Sequence, residues 1–156
     1  MWETVQKKNS RIIDNAFGKV GVFLGGKSRE RRISLRSGEA VYQALKRAGL
    51  QVEKIDPANG YLDHLRSKPL DLAFLALHGT GGEDGTIQKV LERFRVPYVG
   101  SDPKASCIAF DKHEAKRLFD RWGIPTPEYE VATLRNWRAV QKRWQPPYVI
   151  KPTREG

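Results

Sequence analysis

The sequence predicts an α/β protein in which a parallel sheet is covered by helices on both faces. Two apolar runs, residues 20–24 and 72–77, each lead into a glycine-rich loop, as strands buried on both faces do. Stretches with apolar residues three and four positions apart follow these loops and indicate amphipathic helices. Because strand, loop and helix recur in this order, the connections are expected to be right-handed crossovers.

The elements of this first domain follow one another between residues 18 and 123. Strands are expected at residues 20–24, 51–55, 72–77 and 96–99. Helices are expected at residues 35–48, at residues 61–67, along the apolar face of Ile87, Val90, Leu91 and Phe94, and after a cap at Asp111. Gly49 and Gly123 mark helix ends, and Asp56-Pro57 marks a turn.

A domain boundary is predicted after Gly123, where Pro125 and Pro127 form a stiff connector. Beyond it, the pattern predicts a strand at residues 129–132, a helix at residues 134–144 and a strand at residues 148–151. A segment this short cannot bury a core by itself, so residues 124–156 are expected to begin a domain whose remainder is absent. Residues 1–17 are expected to be an amino-terminal extension.

The composition is that of a globular protein of a reducing compartment. Of 156 residues, 39% are apolar and 29% are charged. No stretch reaches the ~20 apolar residues of a membrane-spanning helix. The amino terminus lacks the apolar core of a secretory signal, and Cys107 has no cysteine to pair with and is expected to be buried. We therefore expect a cytoplasmic protein with no membrane partner.

The formal net charge of +10 raises the alternative of nucleic-acid binding. Lysine and arginine are nevertheless spread along the chain, and no basic block interleaved with aromatic residues stands out. A solvated surface explains the charge, and no nucleic-acid partner is expected. The sequence gives His64 and His113 no role as ligands, and it predicts no metal site. The tryptophans expected in the core are Trp122, Trp137 and Trp144.

The first glycine-rich loop follows the first strand and begins with Gly25-Gly26. It matches neither the dinucleotide-binding fingerprint nor the phosphate-binding loop of P-loop proteins. Its glycines permit close approach of a ligand to the backbone. Glu30 has two interpretations, either as a carboxylate that holds a substrate ammonium or as a charge in the first turn of the next helix.

The second glycine-rich loop, residues 78–85, contains four glycines, two acids and a histidine directly after a buried strand. His78 lies where a reacting group would be met, and Glu83 or Asp84 would fix its imidazole tautomer. A purely structural loop is the alternative, with the two acids at the start of the next helix. Because ligands bind at the carboxyl ends of parallel strands, both glycine-rich loops are expected in one crevice.

Lys151 ends an apolar strand pattern and is followed by Pro152, polar residues and a glycine. Its ammonium suits contact with phosphate oxygens, although a solvent-facing lysine at a strand end is the alternative.

Taken together, five motifs in this order resemble D-alanine:D-alanine ligase, an ATP-grasp enzyme of peptidoglycan synthesis. They are residues 25–35, 77–88, 97–101, 111–112 and 151–156. The resemblance covers the chain from about Lys19 to its last residue. It implies a Rossmann-like pre-ATP-grasp domain at residues 18–123, followed by the incomplete beginning of an ATP-grasp α+β domain.

The resemblance implies roles for individual residues. Glu30 would hold the ammonium of the first D-alanine, with His78 beside it as a substrate-site and catalytic residue and with Gly25 and Gly26 next to the substrate. Lys112 and Lys151 would contact the phosphates of ATP, with Mg²⁺ as the family's metal ion. The family's metal ligands and adenine pocket would follow Gly156 and are missing. We therefore expect ATP binding weaker than millimolar and no phosphate release by this chain alone.

Two other functions remain open at this stage. One is an ATP-grasp enzyme with a different amino-acid or peptide substrate. The other is a non-catalytic binding domain or half of a split enzyme, whose partner would be a second chain carrying the carboxyl-terminal half. A homodimer is the further partner that the resemblance implies.

Overall fold

The computed structural model describes residues 17–155. Its centre is a four-stranded sheet in the order β2-β1-β3-β4, in which every neighbouring pair is parallel. The strands are β1 Lys19–Phe23, β2 Gln51–Ile55, β3 Leu72–Leu75 and β4 Tyr98–Val99. The predicted α/β fold with a parallel sheet is therefore confirmed. The predicted amino-terminal extension lies outside the described residues except for Phe17.

Six α-helices are present in the described chain. They are α1 Arg31–Arg47, α2 Tyr61–Ser67, α3 Thr86–Arg93, α4 Pro103–Phe110, α5 Lys112–Trp122 and α6 Trp137–Arg143. A single 3-10 turn, Pro57–Asn59, follows β2, and the Asp56 carboxylate accepts a hydrogen bond from the backbone N–H of Ala58. Among residues 17–155, no helix has the length and apolar composition needed to cross a membrane.

Alternate residues of β1 point to opposite faces of the sheet, and each face has its own core. Phe23 belongs to the core that α2 and α3 cover, where Leu65, Ile87 and Leu91 are buried. Val22 and Leu24 face α1 on the other side of the sheet. Both faces of the sheet are thus covered by helices, which explains why the strands read as continuous apolar runs rather than alternating ones.

The start of α1 differs from the prediction, since the helix begins at Arg31 rather than at Leu35. The backbone N–H groups of Ile33 and Ser34 donate to the carbonyl oxygen of Glu30 at 2.9 and 3.0 Å. Apolar periodicity begins only where α1 meets the sheet, whereas the backbone hydrogen bonds begin one turn earlier. Glu30 therefore occupies the N-cap position, immediately before the first turn.

Several predicted boundaries in the first domain are confirmed, and one helix was missed. The structure has β2 and α2 at the predicted residues, and Asp111 caps α5 through its hydrogen bonds from the N–H groups of His113 and Glu114. The predicted strands 72–77 and 96–99 are shorter, because pairing ends at Leu75 and covers only Tyr98–Val99. The missed helix is α4, although Asp102 at its N-cap and Pro103 at its first position are a recognised start signal.

The predictions for the last segment are largely wrong. Neither residues 129–132 nor residues 148–151 form a strand. A strand requires a neighbour for its backbone hydrogen bonds, and the described chain provides none here. Val149 and Ile150 are accordingly 79% and 84% exposed. The predicted helix 134–144 is shortened to α6, because the Asn136 side chain accepts a hydrogen bond from the N–H of Thr133 and holds a turn before it.

Three residues that were expected to be buried are exposed, namely Trp122, Trp137 and Cys107. Trp122 is 70% exposed and Trp137 is 47% exposed, so neither is a core residue. Trp144 is half-buried, and its indole N–H donates to Glu130 at 2.9 Å. Cys107 is exposed on α4. Helical periodicity identifies an apolar face, but it does not reveal whether another element covers that face.

Candidate functional site

The two glycine-rich loops meet at the carboxyl edge of the sheet, after the adjacent strands β1 and β3. The hydroxyl of Ser28 in the first loop donates to the carbonyl oxygen of His78 in the second loop at 2.7 Å. The same hydroxyl accepts a hydrogen bond from the backbone N–H of Glu30 at 3.2 Å. Ser28 therefore ties both loops to the N-cap residue of α1.

Glu30 lies against the second loop. Gly79 has φ of +70°, and a Cβ atom added there would lie 2.6 Å from Oε2 of Glu30. The carboxylate of Glu30 thus reaches the residue that follows His78. Glu30 makes no side-chain hydrogen bond to cap α1. Glu30 is the N-cap residue, so a charge at the start of the helix and a carboxylate for a substrate ammonium both stay predictions.

The imidazole of His78 is contacted at both nitrogens. Its Nε2 lies 3.0 Å from the hydroxyl of Ser37 on α1, and its Nδ1 lies 3.6 Å from Oε1 of Glu83. Asp84 does not contact the ring. Its carboxylate accepts hydrogen bonds from the backbone N–H groups of Gly81 and Thr86 at 2.9 and 3.0 Å.

The carboxylate of Asp84 is held in its ionised form. Partial burial raises the pKa of Asp84, but the hydrogen bonds from Gly81 and Thr86 outweigh this effect, and the pKa lies below its ordinary value. The second loop is therefore held by hydrogen bonds to its own acids. The structural interpretation of residues 78–85 placed Asp84 at the start of the next helix, and Asp84 accepts from Thr86, the first residue of α3.

The backbone N–H groups of Gly25 and Gly26 already have partners in the chain. Gly25 donates to the hydroxyl of Ser34 at 2.8 Å, and Gly26 donates to Oδ1 of Asp56 at 2.9 Å. Ser34 donates in turn to the carbonyl oxygen of Ala76, past the end of β3, at 2.8 Å. Gly25 and Gly26 have positive φ angles of 83° and 75°, which glycine adopts readily. This conformation brings the backbone of the first loop close to the cleft.

An ion pair between Arg31 and Asp56 fastens the first loop to the end of β2. Nη2 of Arg31 lies 2.7 Å from Oδ2 of Asp56, and Nη1 donates to the carbonyl oxygen of Gly26 at 2.8 Å. Burial raises the pKa of Asp56, but hydrogen bonds from Arg31, Gly26 and Ala58 outweigh it and lower the pKa below its ordinary value. Asp56 is therefore a carboxylate in the folded chain at neutral pH.

These contacts enclose a cleft of about 380 Å³ between the two loops. Residues 25–28 form one wall, and residues of the second loop, including His78, form the other. Pro57, Tyr61 and Ile87 complete the lining. A cleft of this size, with glycine backbone on two sides and a few polar groups, suits a small polar ligand.

Lys112 and residues 151–155 are brought together on the other side of the first loop. The backbone N–H of Lys112 donates to the carbonyl oxygen of Thr153 at 2.8 Å, and its ammonium donates to the carbonyl oxygen of Glu155. Arg29 lies 3.4 Å from the carboxylate of Glu155, which links this segment to the first loop. Lys151 is exposed.

A further ion pair secures the same segment. Nε of Arg154 donates to Oδ2 of Asp111 at 2.7 Å. The hydrogen bond from Arg154 is the main cause that lowers the pKa of Asp111 below its ordinary value. Asp111 therefore has two tasks, because its other oxygen accepts from the backbone N–H groups at the start of α5.

The described residues do not suit a divalent metal ion. Among residues 17–155, no group of three or more His, Cys, Asp or Glu side chains is arranged to hold one. Mg²⁺ prefers several oxygen ligands in near-octahedral geometry. The carboxylates nearest the cleft are instead occupied by Gly79, Gly81, Gly26 and Arg31.

Sequence reasoning missed five residues that build the site. They are Ser28, Arg31, Ser34, Ser37 and Asp56. Asp56 was identified only as a turn residue, yet its place at the end of β2 predicts that it would meet the loops at the same edge of the sheet. The serines gave no such signal, because their partners lie up to 50 residues away in the chain.

The fold and the cleft define a parallel α/β protein with a small cleft at the carboxyl edge of its sheet, which is the edge where ligands bind in such folds. Residues 54–101 match the family model described as the D-ala D-ala ligase N-terminus. The chain is similar to the amino-terminal part of D-alanine–D-alanine ligases.

Curated relatives and solved structures agree with this assignment. The chain is 47% identical over 141 residues to a D-alanine–D-alanine ligase of Aromatoleum aromaticum, which covers 90% of this chain and 46% of that protein. It is 42% identical over 157 residues to the ligase of Pseudomonas entomophila, with coverage of 100% and 49%. The chain thus spans about half the length of the curated relatives it matches.

Two solved structures share the fold. The D-alanine–D-alanine ligase from Bacillus anthracis complexed with ATP aligns with a TM-score of 0.64 and 32% identity, over 78% of this chain and 44% of that one. D-alanyl-alanine synthetase A from Vibrio cholerae aligns with a TM-score of 0.69 and 28% identity, over 80% and 43%.

Proposed function

We propose that this chain provides the binding site for the first amino acid in an ATP-dependent ligase that joins two molecules of D-alanine. One observation carries the proposal, namely that the Glu30 carboxylate reaches Gly79, the neighbour of His78, and that His78 lines the cleft of about 380 Å³. This brings a carboxylate to the loop that carries the imidazole of His78. The pair is complementary to the ammonium and carboxylate of an amino acid.

In this proposal Glu30 holds the ammonium of D-alanine, and His78 lies on the side of its carboxylate. Gly25 and Gly26 let the substrate approach the backbone because they have no side chain. Their own N–H groups are already satisfied by Ser34 and Asp56. The small cleft favours an amino acid with a short side chain.

The proposed reaction has two steps. A carboxylate oxygen of the first D-alanine attacks the terminal phosphorus of ATP, and the bond to ADP breaks. The amine of the second D-alanine then attacks the carbonyl carbon of this acyl phosphate, phosphate leaves, and the amine loses a proton. Phosphorylation is needed because a bare carboxylate has no good leaving group.

Lys112 and Lys151 are the residues that we propose for the phosphates of ATP. Both belong to the region where residues 151–155 fold back onto the start of α5, and the Bacillus anthracis relative was solved as a complex with ATP. Their ammonium groups would offset negative charge during transfer. Mg²⁺ does not fit the described residues, so we derive no step for it. The product would serve peptidoglycan synthesis in the cytoplasm.

Titration of the chain with D-alanine, followed by NMR chemical shifts, tests the amino-acid site. We expect shift changes in residues 25–30 and 78–85, and weaker binding of L-alanine. Glu30→Gln preserves the size of the side chain and removes its charge, so we expect at least about tenfold weaker binding. Asp63→Asn, on the exposed surface of α2, is the control of equal charge change. Unchanged affinity in Glu30→Gln would rule out the proposed role.

A second candidate function is an interaction domain that acts with another chain. The observation in its favour is the exposure of large apolar residues, with Leu134 97%, Val149 79% and Ile150 84% exposed. Adding a separately produced carboxyl-terminal half of the Pseudomonas entomophila ligase distinguishes the two. Phosphate release that depends on both chains and on D-alanine would support a split enzyme, whereas stable association without turnover would support the interaction domain.

A further inference from the structure

Ser37 connects α1 to the imidazole of His78 through a hydroxyl whose hydrogen bonds can be counted. Its Oγ lies 3.1 Å from the carbonyl oxygen of Ile33, 3.3 Å from that of Ser34 and 3.0 Å from Nε2 of His78. A serine hydroxyl has one proton to donate and lone pairs with which to accept. Carbonyl oxygens only accept. When this proton points to either carbonyl oxygen, the hydroxyl oxygen is left to accept from Nε2–H of His78.

The other nitrogen of the ring faces a carboxylate. Nδ1 of His78 lies 3.6 Å from Oε1 of Glu83, while Oε2 of Glu83 accepts from the backbone N–H of Gly79 at 3.0 Å. With the proton of the neutral ring on Nε2, the lone pair lies on Nδ1. Nδ1 is then the acceptor nitrogen of the neutral ring, on the side of Glu83.

The opposite tautomer is less well satisfied. It would place the proton on Nδ1 and require the Ser37 hydroxyl to donate to Nε2, which releases the contacts with Ile33 and Ser34. Glu83 also lies beyond good hydrogen-bond distance at 3.6 Å, so it compensates poorly. The contacts of the Ser37 hydroxyl with the carbonyl oxygens of Ile33 and Ser34 therefore favour the Nε2–H tautomer.

We propose that Ser37 is a positioning residue for His78, which fixes the orientation of the ring and its Nε2–H tautomer. The ring then meets the substrate in one orientation, with Nδ1 beside Glu83. The part of this inference that concerns substrate rests on the proposed function, whereas the tautomer itself does not.

Long-range ¹H–¹⁵N correlation spectra of the chain with ¹⁵N-labelled histidine test the tautomer directly. The sequence has three histidines, and His78→Gln identifies the signals of His78 by their loss. At a pH where the ring is neutral, we expect a protonated Nε2 and an unprotonated Nδ1. Ser37→Ala should move the population toward Nδ1–H, because the Glu83 carboxylate becomes the nearest acceptor. Ser37→Thr keeps the hydroxyl and should restore the Nε2–H form.

Two further variants separate tautomer control from general effects on a helix. Ser67 makes the same kind of contacts near the end of α2, at 2.8 Å to the carbonyl oxygen of Asp63 and 3.3 Å to that of His64. Ser67→Ala removes them and should leave the His78 signals unchanged. Glu83→Gln leaves α1 untouched and should keep Nε2–H. An Nδ1–H tautomer in the unaltered chain, or a switch in Glu83→Gln, would overturn the proposal.

D-alanine titration of the same variants separates this inference from the proposed function. We expect Ser37→Ala to bind D-alanine about fivefold to tenfold more weakly and Ser37→Thr to recover most of the affinity. If the unaltered chain binds no D-alanine, the proposed function fails, and the tautomer spectra still decide the role of Ser37. If Ser37→Ala changes the tautomer but binds D-alanine as tightly as the unaltered chain, the positioning role toward substrate is wrong.

Discussion

Ser28 donates a hydrogen bond to the carbonyl oxygen of His78 at 2.7 Å, although the two residues are 50 positions apart in the chain. This bond joins the loop after β1 to the loop after β3. Because these strands are adjacent and parallel, their carboxyl ends place the two loops side by side. The cleft between the loops therefore depends on the sheet and on this serine.

Replacing Ser28 with alanine should loosen the junction between the loops. One hydrogen bond to a partly buried carbonyl is lost, so we expect the free energy of unfolding to fall by about 1 kcal/mol. Urea denaturation followed by circular dichroism measures this loss, and hydrogen exchange should become faster in residues 78–85. Ser28→Thr retains the hydroxyl and should behave like the unaltered chain. Equal exchange in all three proteins would show that Ser28 does not hold the loops together.

Gly79 and Gly81 form a matched pair that tests the contact with Glu30. Both have positive φ, +70° and +86°, so an alanine at either position should cost about 1 kcal/mol of backbone strain. Only at Gly79 would the new Cβ meet Oε2 of Glu30, at 2.6 Å, whereas nothing lies within 4 Å at Gly81. We expect Gly79→Ala to abolish D-alanine binding and Gly81→Ala to reduce it far less. Comparable losses in calorimetric titrations would argue against a Glu30 site at Gly79.

Asp56 should make the stability of the chain depend on pH in the acid range. Its pKa in the folded chain lies below the unfolded value of about 3.9, so its contribution is present above that pH. The contribution is lost as the pH falls through the folded pKa. At neutral pH, Asp56→Asn should lower the free energy of unfolding by about 2 kcal/mol, because a charged acceptor of several hydrogen bonds is lost.

Urea denaturation of both proteins between pH 3 and pH 7 checks the sign of this effect. This range extends from about one pH unit below to about three above the unfolded pKa of an aspartate. The unaltered chain should lose stability more steeply than Asp56→Asn as the pH is lowered, so that the two approach each other. Parallel curves would mean that another carboxylate, such as Asp84, dominates the acid response.

Asp111 allows its capping role and its ion pair to be measured separately. Asp111→Ala removes the cap of α5 and should cost about 1 kcal/mol. Asp111→Asn keeps a side-chain oxygen for the N–H groups of His113 and Glu114 but loses the charge that faces Arg154. The side chain of Arg154 is 70% exposed, so this second loss should be smaller than the loss of the cap. Thermal denaturation that ranks the asparagine variant below the alanine variant would contradict this assignment.

Sequence patterns were sufficient where an element is defined by its own residues and by a buried face. The residues of β2 and α2 were predicted correctly, and the buried strands β1 and β3 were identified by their apolar runs. The cap at Asp111 and the stop at Gly123 are local signals of the same kind. Glu30, His78 and the two glycine-rich loops could be proposed as one site because parallel strands place their carboxyl ends at one edge.

The same patterns failed where an outcome depends on a distant partner. Val149 and Ile150 have the composition of a strand, but a strand forms only when a neighbour receives its backbone hydrogen bonds. Trp122 has helical spacing, yet it is 70% exposed because nothing in the described chain covers that side of α5.

The sequence by itself determined the resemblance to D-alanine–D-alanine ligases, the parallel α/β sheet and the identity of the two loops, because motifs, apolar periodicity and glycine spacing are properties of neighbouring residues. Only the tertiary structure decided that Ser37 contacts His78, that Asp56 fastens Gly26, and that Asp84 has no contact with the imidazole. The physical reason is that a hydrogen bond requires donor and acceptor within about 3.5 Å in a suitable orientation. Such placement arises when the sheet brings distant loops together, and residue types alone do not specify it.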